Sequence, residues 1–156
     1  MIPEYGTKVE RIGPSRWRIH LAKDHAGGTG HPVPLDNLVR AQRPEYYHPA
    51  RARDYYAAGW SFVYFLRESE KVAKHARWSR LLDDYFDELK RAYLEAIAGK
   101  GERPSLADRQ AAQVVAREKA LDAFLKDTNL KELESEWKAF IERTKSPWPD
   151  QRKKRQ

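Results

Sequence analysis

The sequence predicts a mainly α protein with four longer amphipathic helices, one short helix and a small N-terminal β-hairpin. Most of the chain places apolar residues at steps of three and four, which is typical of helices that pack on one face. Proline and glycine separate these stretches and mark the connections between them. Near the N-terminus apolar and polar residues alternate instead, as they do in strands that are buried on one side.

Residues 1–22 are predicted to form the hairpin. Apolar and polar residues alternate over 7–12 and again over 16–21, with glycine, proline and serine between them as turn residues. In the second run the apolar residues share one face: Trp17, Ile19 and Leu21. A loop rich in glycine and proline is predicted to follow over 23–34.

The chain from 35 to 146 is predicted to be helical. The helices follow in order: a short one near 35–42, a central one over about 53–74, and longer ones over about 76–98, 106–126 and 130–146. Ser105 is expected to cap one of them by accepting from the backbone of Asp108, and Asn129 precedes the last. The predicted apolar faces include large side chains, among them Phe86, Val114 and Val115.

Composition limits the classes of function. The chain has 156 residues and no cysteine, which predicts one domain over 1–146 and excludes disulfides, thiolate zinc sites and cysteine nucleophiles. Neither a signal peptide nor a membrane span of roughly 20 apolar residues is expected, and the compartment stays open. The net charge is +7, and four of the cations lie at 152–155 in a predicted disordered tail over 147–156. Because these cations are concentrated in the tail, a nucleic-acid interface on the folded part is disfavoured.

Two other patterns are candidate sites. His20, His25 and His31 lie close together in the sequence with Asp24, but their spacing matches no metal motif, so structural or exposed histidines are favoured over ligands. The glycines at 27–30 suggest a phosphate loop. That loop needs a lysine and a serine or threonine at the start of a helix, and His31 and a proline follow instead, so a connector is favoured.

The central helix carries the strongest candidate. Tyr56 and Gly59 lie three residues apart and therefore on one face. Because a glycine inside a helix costs roughly 1 kcal/mol relative to alanine, a close neighbour or room for a ligand should compensate. A phenol beside such a gap could donate a hydrogen bond to a developing oxyanion. The alternative is an aromatic core helix with a packing glycine.

The run Tyr56-Ala57-Ala58-Gly59-Trp60 resembles the helix that follows the zinc site in gluzincin peptidases. The order of motifs along the chain is similar to that in bacterial peptidase MA-like domains of uncharacterised function. The other matching segments are Pro3-Glu4-Tyr5, Pro34-Leu35-Asp36-Asn37-Leu38, Arg43-Pro44-Glu45-Tyr46-Tyr47 and Leu133-Glu134-Ser135-Glu136-Trp137. The resemblance implies an oxyanion-type catalytic role for Tyr56, binding roles for Gly59 and Trp60, and zinc as the cofactor of the family.

The chain departs from that family in one decisive respect, since it contains no His-Glu-x-x-His. The resemblance therefore implies the C-terminal part of a gluzincin-like domain, truncated after the zinc site. Such a chain is expected to hold no cofactor and to show no peptidase activity by itself. Its partner would be the missing N-terminal half or another peptide or protein.

Two alternatives from other classes remain open. A free-standing protein-interaction module would expose an apolar patch around Tyr56, Trp60 and the hairpin. A basic nucleic-acid-binding module, the less favoured alternative, would lose affinity steeply with salt.

Overall fold

A computed structural model describes residues 15–145, and within this range every regular element is helical. The elements are α1 (Arg16–Ala26), α2 (Leu35–Arg40), α3 (Arg43–Tyr46), α4 (Ala52–Glu68), α5 (Glu70–Lys74), a 3-10 turn (Trp78–Arg80), α6 (Leu81–Ile97), α7 (Leu106–Leu125) and α8 (Leu130–Arg143). The mainly α prediction is confirmed here, and α4, α6, α7 and α8 are the four longer helices. None of the described helices is long and apolar enough to span a bilayer.

The predicted hairpin is wrong where the structure describes it. Its second strand, 16–21, lies in α1, which continues into the predicted loop; the first strand, 7–12, lies outside the described residues. In the helix, Ile19, Ala22 and His25 are buried at steps of three and face α4 and α8. A short alternating run fits either period, and the tertiary contact of this face decides for the helix.

The central predicted helix is interrupted at Ser69. This residue has an extended backbone, with φ −80° and ψ 119°, so that α4 ends there and α5 begins directly after it. The break turns the chain so that Val72 is buried in the core. The predicted loop after α2 also differs from the structure, because it contains the short helix α3. At the start of α3 the carboxylate of Glu45 accepts from the backbone N–H of Gln42 at 2.9 Å.

Two predicted helix caps are confirmed. The Ser105 hydroxyl oxygen accepts from the backbone N–H of Asp108 at 3.1 Å, and α7 begins immediately after it. The Asn129 side-chain oxygen accepts from the backbone N–H of Glu132 at 3.3 Å at the start of α8. Each cap satisfies one of the backbone donors that the first turn of a helix leaves without a partner.

Helix α4 forms the centre of the core. One side of it is buried against α1 and α8. The ring of Phe62 lies 5.3 Å from that of Trp137 in α8 and 6.2 Å from that of Phe124 in α7, both edge-on. Phe65 packs against Phe140 with ring centroids 5.5 Å apart. These contacts join α4 to α7 and α8, which lie far from it in sequence.

Helices α6 and α7 form an antiparallel pair whose tight contact uses small residues. The fully buried residue of α6 in this contact is Ala92, and α7 buries an alanine at every fourth position: Ala112, Ala116 and Ala120. The predicted apolar faces of α6 and α7 were therefore wrong in part, since Phe86 of α6 and Val114 and Val115 of α7 are exposed. Alanine allows the two helix backbones to approach closely, so the larger apolar side chains are left outside.

The α6–α7 pair is tied to the rest of the molecule by Arg77, which precedes the 3-10 turn. Its guanidinium donates to the backbone carbonyls of Ala123, Phe124 and Lys126 at 2.6, 3.1 and 2.9 Å. It also donates to the carboxylate of Asp84 at 2.5 Å. The carbonyls at the C-terminal end of α7 lack intrahelical partners, and this cation satisfies them.

Candidate binding groove

The three site residues of the sequence prediction line one open groove. Tyr56, Gly59 and Trp60 lie on the solvent side of α4, along a depression with a volume of about 650 Å³. Arg18 of α1 and Tyr46 of α3 complete its wall, with further side chains of α4: Val63, Tyr64, Arg67 and Glu68. We call this depression the tyrosine groove.

Gly59 is explained by its neighbour. A Cβ atom built on Gly59 would lie 2.9 Å from the hydroxyl oxygen of Tyr46, closer than carbon and oxygen normally approach. The close neighbour that the sequence predicted is therefore a tyrosine side chain from α3. Because the phenol lies directly over the α4 backbone, this contact fixes the distance between α3 and α4 and so the width of the groove.

Four tyrosines form a cluster at one end of the groove. The ring of Tyr46 lies 5.4 Å from those of Tyr47 and Tyr56 and 5.5 Å from that of Tyr55. Most of these contacts are edge-on, the arrangement that aromatic quadrupoles favour. The cluster leaves Tyr56 37% exposed.

Two phenols of the cluster, those of Tyr46 and Tyr56, are held in the neutral form. Burial is the largest cause that raises the pKa of Tyr46, followed by its phenol neighbours Tyr56 and Tyr47. Desolvation likewise raises the pKa of Tyr56, followed by its hydrogen bond with Tyr47. The charge of Arg18 lowers both pKa values, but by less. At neutral pH these hydroxyls are therefore hydrogen-bond donors.

Arg18 lines the groove, and one nitrogen of its side chain has no hydrogen-bond partner. Its Nε is buried and forms no hydrogen bond, while its guanidinium lies 5.3 Å from the ring of Trp17. The sequence predicted no site role for Arg18, because the alternating run 16–21 places this residue on the polar side of a strand. Tyr46 was not predicted as a site residue either, although it lies in the matching segment at 43–47.

The tyrosine groove continues into two further depressions. The first, about 260 Å³, shares Tyr46, Gly59 and Val63 with it and is otherwise lined by apolar and aromatic side chains of α2, α4, α6 and α7. The second, about 590 Å³, shares Tyr85 and Phe86 with the first and follows α6 toward Tyr93. We call the three together the long groove.

Apolar side chains are exposed where the depressions meet. Val63 of α4 is 44% exposed and Phe86 of α6 is 59% exposed, and both line the depression of about 260 Å³. Single exposed apolar residues are ordinary on a protein surface, but apolar residues exposed together in one depression are typical of a binding surface.

The histidines do not form a metal site. His25 is buried, His20 lies elsewhere on α1, and His31 lies in the loop, where its backbone carbonyl accepts from Arg51. Among residues 15–145 no group of three or more histidine, cysteine, aspartate or glutamate side chains could hold a metal ion. The zinc that the gluzincin resemblance implies therefore does not fit the described residues. The glycines at 27–30 form a turn, with positive φ at Gly28 and Gly30.

His25 has an unusual environment. Its Nε2 lies 3.2 Å from the carboxylate of Asp54, but the direction is poor, and neither ring nitrogen has a well-directed hydrogen bond. Asp54 accepts a better-directed hydrogen bond from Arg51 at 2.9 Å. Desolvation lowers the pKa of His25, outweighing the opposite effects of Asp54 and Asp24, while Arg51 lowers it further. His25 is therefore neutral in the folded protein at neutral pH.

We predict that the effect of Gly59→Ala depends on Tyr46. In the wild-type background the new methyl group meets the phenol oxygen, so the helix-propensity gain of roughly 1 kcal/mol is reduced or reversed. In a Tyr46→Phe background that oxygen is absent, and Gly59→Ala should stabilise the protein by roughly 1 kcal/mol. Urea unfolding of the four proteins in this double-mutant cycle measures the difference. Equal effects in both backgrounds would show that Tyr46 does not explain the glycine.

We predict that His25 makes the folded protein less stable in acid. Its folded-state pKa lies below the value of about 6.5 in an unfolded chain, so the unfolded chain binds more protons at mildly acidic pH. The stability that neutral His25 contributes is complete above about pH 6.5. It is lost as the pH falls through the folded-state pKa of His25. Unfolding free energies between about pH 7.5 and pH 5 should fall less in His25→Gln than in the wild type. His20→Gln, in the same helix, is the control, and an equal slope in both variants would contradict the assignment.

Comparison with protein-family models, with curated proteins and with solved structures finds no match to this chain. The gluzincin resemblance therefore stays a prediction that rests on the sequence motifs around Tyr56 and on their order.

Proposed function

We propose that this chain is a helical binding module, which holds a segment of a partner protein in the long groove and performs no catalysis by itself. The observation that carries the proposal is the continuity of the groove. Tyr56, Gly59 and Trp60 lie at one end of it, and a line of apolar and aromatic side chains extends from them along α4 and α6.

The exposure of this line supports binding. Val63 and Phe86 keep 44% and 59% of their surfaces in water although they line the same apolar depression. Covering apolar surface contributes roughly 25 cal/mol for each Å² removed from water. A partner that fills the groove gains this free energy at side chains that the fold itself leaves uncovered.

The chemistry of the groove also favours binding over catalysis. Its polar groups include phenols and four cationic side chains, and its lining contains a single carboxylate, Glu68. Phenols and guanidinium groups donate hydrogen bonds and recognise anions. A hydrolase would also need a general base or nucleophile close to them.

A second candidate function follows from the resemblance. We propose that the chain corresponds to the C-terminal part of a gluzincin-like domain and lacks peptidase activity by itself. The position of Tyr56 supports this, because its neutral, partly exposed phenol stands in the groove as a donor beside Gly59 and Trp60. The purified chain should hold no stoichiometric zinc and should not cleave a peptide substrate. Bound zinc together with hydrolysis that is lost in Tyr56→Phe would refute this proposal.

Binding in the long groove can be tested with a random 16-residue peptide library displayed on phage. We expect selection on the immobilised chain to enrich peptides whose affinity falls about fivefold in Val63→Gln. This corresponds to roughly 1 kcal/mol for a partly exposed valine. Fluorescence anisotropy of the labelled peptides gives the dissociation constants. The matched control is Val114→Gln on α7, since Val114 is 58% exposed but lines no part of the groove.

The control should leave affinity unchanged, and both variants should keep the helical circular dichroism of the wild type. An unenriched library, or peptides equally weakened by both valine substitutions, would rule out the long groove as the binding surface.

A further inference from the structure

The charges around the long groove are uneven. Arg18 and Arg67 lie at the tyrosine end together with one acid, Glu68. Lys90 and Arg117 lie at the far end, without an acid in the lining. The middle depression is lined by uncharged side chains alone. The groove thus has cationic ends and an apolar centre.

Described acids do not neutralise these four cations. Elsewhere between 15 and 145 cations and carboxylates pair closely, as Arg77 does with Asp84 and Arg91 with Glu88 at 2.5 Å each. No such pair within that range includes the groove cations: Arg18, Arg67, Lys90 and Arg117. Arg117 donates to the backbone carbonyl of Ala41, which fixes the guanidinium without cancelling its charge.

The shape of the groove fits a helix. The lining of α4 runs from Tyr56 to Glu68 and that of α6 from Leu82 to Tyr93. The two stripes span twelve and eleven residue steps, or roughly 18 and 16 Å at the rise of an α-helix. The two helices line the same channel in the middle depression, where α6 contributes Leu82, Tyr85 and Phe86 together with the α4 side chains. Two helices that border an apolar channel are a usual receptor for the apolar face of a third helix.

We propose that the partner segment is an acidic amphipathic helix, with apolar residues that fill the centre of the long groove and carboxylates near its two ends. This inference rests on the proposed binding function. Carboxylates would form charge-assisted hydrogen bonds with the guanidinium groups of Arg18 and Arg67. They would also speed association, since unlike charges attract the partner before contact.

Other occupants fit the charges less well. A second copy of this chain in a two-fold arrangement would bring the same cationic surface to face itself. The basic residues at 152–155 would be repelled in the same way. A nucleic-acid strand would supply anions, but it carries a charge at every nucleotide, and the centre of the groove offers no cation.

The charge of the selected peptides tests this inference. We expect the enriched pool from the phage library to carry more aspartate and glutamate than the unselected pool. For the best peptide, Arg67→Glu should weaken binding about tenfold, because it removes a cation and places a like charge against the ligand. The matched control is Arg109→Glu, which changes the net charge equally at an exposed arginine of α7 outside the groove. It should weaken binding less than twofold.

Each other outcome points to a separate failure. Enriched peptides that are neutral or basic, but still sensitive to Val63→Gln, would overturn the acidic partner and leave the binding function intact. Equal losses of affinity in Arg67→Glu and Arg109→Glu would show a general charge effect and would overturn the acidic partner as well. No enrichment at all would reject both proposals. If a 12-nucleotide single strand of DNA displaces the best peptide at physiological salt, the groove is a nucleic-acid site instead.

Discussion

The packing of Phe62 is the interaction on which the rest of the structure depends. Its ring touches those of Phe124 and Trp137, and it therefore holds α7 and α8 against α4. Since one side of α4 is committed to this core, its other side, with Tyr56 and Val63, must face solvent or a partner. The position of the groove is thus a consequence of which face of α4 the core uses.

The contact between Tyr46 and Gly59 converts that free side into a shaped site. A larger residue at position 59 would displace the phenol, and the tyrosine cluster around it would move. The glycine that appeared as a weakness in a helix is therefore the point at which α3 docks. Its role is to allow a close approach, which is a common reason for glycine within a helix.

The α6–α7 pair supplies another wall of the long groove, and it too depends on small residues that allow a close approach. Its tight contact is made by alanines, so the bulk of the apolar surface on α6 is free to face the groove. The clamp from Arg77 to the end of α7 holds this wall in place through three carbonyls and one carboxylate. A wall fixed in this way is organised before any ligand arrives, which reduces the entropy cost of binding.

Local chemistry allowed several features to be predicted from sequence. The helices around Trp60, Leu89 and Trp137 follow from apolar spacing, and the caps at Ser105 and Asn129 follow from short-range hydrogen bonding. Tyr56 and Gly59 were expected to share a face because a three-residue step places side chains on one side of a helix. These features depend on residues close together in the chain.

What the sequence determined by itself is therefore the set of main helices, their caps and the shared face of Tyr56 and Gly59. Only the tertiary structure decided that residues 16–21 are helical, because the burial of Ile19 against α4 and α8 outweighs a local alternating pattern. It alone also brought Arg18, Tyr46 and Phe86 to the groove. Contacts between residues far apart in sequence leave no local periodic pattern, and these contacts shape the site.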